Sequence, residues 1–113
     1  MKKPENKSAS MKASFAQMTE GMSSNEVAKL LFAQTPKFLK SDEWLSLRDR
    51  TMVRYGRVCM CCKKNAGIDA CADHIKPRLY YPHLALDPEN LQILCRKCNK
   101  QKGNKHATDY RHK

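Results

Sequence analysis

Apolar positions along this chain follow two spacings. Between residues 24 and 56 they recur three or four apart: Val27, Leu30 and Leu31, then Trp44, Leu45, Leu47, Met52, Val53 and Tyr55. That period predicts two helices. Ser24 or Asn25 would cap the first, and Pro36 would break it. The second has firmer ends, with Ser41 as N-cap, Asp42 and Glu43 in the first turn, and Gly56 as the stop. Past residue 70 the spacing shortens. Ala70-Cys71-Ala72-Asp73-His74-Ile75 reads as a short strand closed by Pro77, and the alternation in Asn90-Leu91-Gln92-Ile93-Leu94 predicts a partner strand. Arg78 to Pro88 is turn-rich, and a last helix is expected from about Cys95 to Lys105. The stretch 1–23, rich in Lys, Ser and Met, keeps no period and is expected as a flexible basic tail with at most a transient turn around Phe15–Thr19. Residues 24–40 would be a short helix and linker, 41–105 the working domain, and 106–113 a basic C-terminal tail. The fold class is α+β.

Composition narrows this picture. The chain has 113 residues, of which 41% are hydrophobic and 7% aromatic, so its core must be small. No apolar run approaches the ~20 residues of a membrane span. Met1-Lys2-Lys3 leads into Pro4-Glu5-Asn6 with no apolar stretch of a secretory leader, so a reducing, cytoplasmic setting is expected and disulfides are not. The cysteines then read as metal ligands. Cys59 and Cys62 form one Cys-x-x-Cys turn, and Cys95 and Cys98 form another. Two such turns close a tetrahedral four-thiolate shell for structural Zn²⁺. The 32 residues between Cys62 and Cys95 form a larger insert than the simplest fingers carry. The alternative is four free or redox-active thiols. Cys61 and Cys71 are left over, Cys71 as a small buried apolar residue.

Inside that insert stand polar residues that packing alone does not require. Asp73 and His74 are neighbours at a strand end, where successive side chains face opposite ways. Asn90 opens the partner strand, and Asn99 follows Cys98 on the last helix. Three blocks, Ala72-Asp73-His74-Ile75-x-Pro77, Asp87-Pro88-Glu89-Asn90-Leu91-Gln92 and Leu94-Cys95-x-x-Cys98-Asn99-x-x-Lys102, together resemble the HNH endonucleases, in their zinc-bearing branch. The Trp44-Leu45-x-Leu47-Arg48 helix and the Cys59/Cys62 turn fit as well, so the resemblance covers about residues 41–105.

The resemblance implies a ββα-metal (His-Me finger) core clamped by a four-cysteine zinc site, and a metal-dependent DNA endonuclease. His74 would be the general base, Asp73 and Asn99 would hold the catalytic ion, and Asn90 would orient His74 through hydrogen bonds. Family products would carry 5′-phosphate and 3′-hydroxyl ends. Asn99 stands where the family name has His, as in the HNH domain of CRISPR effector nucleases. Asp carboxylate with Asn carbonyl is a hard oxygen set, which favours Mg²⁺ or Mn²⁺. The Gly-Gly of many relatives is replaced by Leu79-Tyr80-Tyr81-Pro82-His83, which leaves loop geometry and substrate preference open. His83 is expected as a surface residue, and His106 and His112 as uninvolved.

Charge adds a partner. Lys+Arg number 22 against 11 Asp+Glu, a net of 22 − 11 = +11. From residue 91 onward Asp109 is the single acid, and Arg96, Lys97, Lys100, Lys102 and Lys105 would form a basic rail for DNA phosphates, with little sequence specificity. Small chains of this family resemble phage and bacterial enzymes of DNA packaging, defence or mobility, which implies protein partners in such a complex. The competing readings are a non-catalytic zinc-ribbon nucleic-acid-binding module and a subunit lending a basic surface to a larger DNA-processing machine.

Overall fold

The computed structural model describes residues 16–111; the expectations for residues 1–15, and for His112 and Lys113, lie outside it. Helix α1 spans Ser24–Ala33 and α2 spans Asp42–Tyr55, joined by a 3-10 turn at Pro36–Lys40. Strand β1, Cys71–His74, pairs antiparallel with β2, Leu91–Leu94, and helix α3, Arg96–Lys102, follows at once. None of the helices among the described residues is long and apolar enough to cross a membrane.

The α1 cap lies at Ser23, earlier than the sequence reading placed it. Ser23 Oγ accepts from Glu26 N at 3.2 Å, while Glu26 Oε1 accepts from Ser23 N at 3.3 Å. Only Ser23 has an acid three residues on, so only it can close this reciprocal box. Ser41 caps α2 as expected, accepting from Trp44 N at 3.3 Å. Gly56 ends α2 at φ +77°, a conformation that side-chain-bearing residues disfavour. The buried face of α2 is Trp44, Leu47 and Thr51. Val53, expected with the apolar set, is 87% exposed. It lies nine positions past Trp44, about half a turn around at ~100° per residue.

The sheet pairs Cys71 with Leu94, Ala72 with Ile93, Asp73 with Gln92 and His74 with Leu91. Its two ends therefore serve different clusters. Leu91 packs with Ala33, Phe38, Trp44, Leu47 and Ala85. Leu94 packs with Cys59 and Cys98, against which Tyr110 also lies. Every β2 residue is buried, including Gln92. The strand is covered on both faces.

What covers the second face is the segment expected as a C-terminal tail. Gln92 Nε2 donates to Thr108 O at 2.9 Å, and Tyr110 N donates to Gln92 Oε1 at 2.7 Å. Arg111 Nη1 donates to Glu89 O at 2.7 Å. Helix α3 ends at Gly103, at φ +61°, sooner than the expected Lys105, which frees the chain to turn back. The β1–β2 connection is docked onto α1. Arg78 Nη1 donates to Ala33 O and Thr35 O, both at 2.8 Å, and Gln34 Nε2 donates to Leu79 O at 2.7 Å.

Candidate functional site

At the Leu94 end of the sheet, Cys59, Cys62, Cys95 and Cys98 bring their sulfurs within 4.8 Å of one another. A tetrahedral zinc with Zn–S of about 2.3 Å needs S···S edges of about 3.8 Å. The Cys62–Cys95 separation is 3.9 Å. Each turn is also built to hold a thiolate: Cys62 N donates to Cys59 Sγ at 3.5 Å and Cys98 N to Cys95 Sγ at 3.4 Å. Burial works to raise the Cys59 thiol, but backbone N–H groups of Cys62, Cys95 and Cys61 outweigh it and hold it at about 6. Burial and the neighbouring sulfurs push Cys98 the other way. Four sulfur donors at this spacing fit a dication. Cys61 packs against this cluster without being one of the four. Burial raises the half-exposed Cys71 thiol, and a hydrogen bond from Asn99 opposes it.

At the His74 end lies a cavity of about 310 Å³. Asp73, His74 and Asn99 all line it, together with Trp44, Arg78 and Asn104. His74 is buried and stacked on Trp44, with ring centroids 4.6 Å apart and planes 27° apart, while Phe38 lies 6.2 Å away. His74 Nε2 lies 2.8 Å from Ala85 O. A carbonyl oxygen only accepts, so Nε2 carries the proton and Nδ1 the lone pair. Burial, first of all, lowers the His74 pKa to about 4; the Ala85 carbonyl works against this, and Arg78 and Lys102 add to it. The ring is thus neutral at pH 7.

Asp73 is buried, and burial raises its carboxyl above the usual range. Gln92 and Lys102 oppose that rise. Gln92 Nε2 donates to Asp73 Oδ2 at 2.9 Å, and Lys102 Nζ lies 3.1 Å from the same oxygen. Asp73 Oδ1 has only the longer 3.5 Å contact with Lys102. One oxygen is held and the other is lightly engaged, an arrangement a hard cation can use. Asn99, half-buried on α3, offers an amide oxygen from a second wall of the cavity.

Two assignments need correction. Asn90 makes no hydrogen bond to His74. Its Oδ1 accepts from Lys76 N at 2.9 Å, and its Nδ2 donates to Lys76 O at 3.1 Å and Leu84 O at 3.3 Å. It pins the two ends of the loop whose next residue, Ala85, holds the imidazole, so any orienting action runs through that backbone. Lys102 is no surface cation. Its side chain is 1% exposed, and Nζ also donates to His74 O at 2.9 Å. On α3 it sits four residues after Cys98, on the same inward face. The exposed cations of this region are Lys97, Lys100 and Lys105, with Arg96 engaged to Asp69 at 2.8 Å. Lys64 joins Arg96, Lys97 and Lys100 around a neighbouring groove. Gln92, Ala85 and the aromatic wall of Phe38 and Trp44 were not singled out as site residues from sequence. Strand register brings Gln92 there, the loop path brings Ala85, and the packing of α2 and the turn before it brings Trp44 and Phe38.

A two-stranded sheet and helix carrying an Asp-His pair and an Asn, with four cysteines clustered behind, define a small ββα-metal domain. The HNH endonuclease family model matches residues 59–105. A Lactococcus phage SK1 protein named probable HNH endonuclease is 32% identical over 73 residues, covering 61% of this chain and 73% of that one. The chain belongs to the HNH endonuclease family. No solved structure gives a significant match.

Proposed function

We propose that the chain is a metal-dependent DNA endonuclease, cutting or nicking phosphodiester bonds with little intrinsic sequence specificity. The observation that carries this reading is the His74 ring. It is locked by Ala85 O on one nitrogen, backed by Trp44, and neutral at the wall of a cavity shared with Asp73 and Asn99. His74 Nδ1 takes a proton from the attacking water. The fixed Nε2–H keeps the tautomer correct while the ring becomes cationic. Asp73 Oδ1 and the Asn99 amide oxygen would hold one Mg²⁺ or Mn²⁺, which when bound supplies charge stabilisation to the phosphate and the leaving oxygen. Asn90 positions the loop behind His74 and does not touch the substrate. Lys97, Lys100 and Lys105, with Arg96 when released from Asp69, track the DNA backbone. The four-cysteine cluster holds structural Zn²⁺, and the nuclease unit is residues 41–105 with Phe38 completing its aromatic wall.

The test is supercoiled plasmid incubated with zinc-loaded protein and Mg²⁺, Mn²⁺ or EDTA. Relaxed or linear product with either ion, and none with EDTA, is expected. DNA bound but never cut under any of these conditions would overturn the enzyme and leave a zinc-ribbon binding module.

A further inference from the structure

We propose that Thr108–Arg111 is a strap that positions Asp73 for its metal, acting through Gln92. The proposal rests on the reading of Asp73 as a ligand. Gln92 is wholly buried, and its amide joins the two parts. Nε2 donates to Asp73 Oδ2 and to Thr108 O, each at 2.9 Å, while Oε1 accepts from Tyr110 N at 2.7 Å. Both amide protons and the carbonyl are thus committed, and without the strap two of these three bonds would have no protein partner. An Asp carboxylate turns softly about its terminal torsion, so the plane it presents to the cavity must be fixed from outside. Gln92 and Lys102 fix it by taking Oδ2.

The strap is anchored on both sides of Gln92. Tyr110 packs on the Cys59, Leu94 and Cys98 cluster, and Arg111 Nη1 donates to Glu89 O at 2.7 Å. It therefore ties the thiol end of the domain to the carboxylate of the cavity end. The family match stops at residue 105, so the strap segment itself lies outside what the family model covers, while Gln92 and Asp73 lie within it. A role as a DNA-binding tail is the alternative. Residues 108–113 carry Arg111 and Lys113 against Asp109, only 2 − 1 = +1, and Arg111 is already engaged.

The test compares full-length, zinc-loaded wild type with Gln92→Leu, which removes the joining amide, Tyr110→Pro, which removes the strap's N–H, and the double variant. Mn²⁺ affinity is read from the free-ion electron paramagnetic signal, and kcat and KM from plasmid cleavage. Each single change should weaken Mn²⁺ binding and lower kcat by about tenfold, as loss of a ligand's supporting hydrogen bonds does. KM should stay within about twofold, and the double variant should be no worse than either single one, because both act through one connection. If Gln92→Leu fails to hold zinc, Tyr110→Pro, whose change lies outside the sheet, carries the comparison. Wild-type Mn²⁺ affinity in zinc-loaded Tyr110→Pro, or a change in KM alone, would overturn the strap. So would loss of zinc from both variants, since the segment would then serve folding. Asp73→Asn binding Mn²⁺ like wild type would instead sink the ligand reading beneath it.

Discussion

At the Leu94 end of the sheet, four sulfurs converge from two turns of nearly identical local design. At the His74 end, Asp73, His74 and Asn99 reach one cavity from a strand and a helix, and the first two depend on different neighbours. Asp73 leans on Gln92 and Lys102, and His74 on Ala85 and Trp44. The thiol cluster is close to self-sufficient: each Cys-x-x-Cys turn supplies two ligands and an N–H that donates to the first of its sulfurs. The cavity owns little of its geometry, which is borrowed from the loop, from α2 and from the C-terminal segment. One end is therefore held by its own local turns, and the other by partners distant in the chain.

That separation breaks most visibly at the thiols. Cys95→Ser should lose zinc and unfold the domain, because structural zinc supplies on the order of 10–16 kcal/mol of apparent binding energy. Metal analysis with circular dichroism checks it, and a folded, zinc-bearing Cys95→Ser would erase the distinction between the ends. Lys102→Met comes next. It leaves the buried Asp73 charge unpaired, and breaking a buried pair costs about 3–5 kcal/mol. Lys100→Met on the same helix is exposed and should leave the urea midpoint of the zinc-loaded protein unchanged while making DNA binding less salt-dependent. Equal stability of the two variants would return Lys102 to the surface rail. His74→Ala should leave the fold standing and have its large effect on chemistry. Zinc content and DNA affinity stay at wild-type level, while cleavage falls by about 10²–10⁴, the usual contribution of a general base. Cleavage at the wild-type rate would remove His74 from the reaction.

The residues named for chemistry were legible where chemistry is local. Cysteines three apart share a turn whatever surrounds them, and they meet as the spacing implied. Asp73, His74 and Asn99 were readable from the order of their motif blocks, and they line one cavity. Lys102 was misread because a run of lysines looks the same whichever face of a helix it occupies. A seven-residue helix with Cys98 and Lys102 turned inward leaves only part of its charge for solvent. Gln92 was passed over because a polar residue between Leu91 and Ile93 looks like the wet side of a strand. Only a segment sixteen residues later in the chain makes it a buried hub. Asn90 was found, but its partners are Lys76 and Leu84, which a motif does not specify.

The sequence by itself determined the family, the α+β order of elements, the four-cysteine clamp and the Asp-His-Asn set. These depend on residue type and short covalent spacing, which the chain carries unfolded as well as folded. Tertiary structure decided the rest: which nitrogen of His74 carries the proton, how the Asp73 carboxylate is held, which lysine is buried, and where the C-terminal segment goes. Each of those is set by a partner many residues away, through strand register and loop path. A single hydrogen bond to Ala85 O or from Gln92 has no signature until the chain has closed around it.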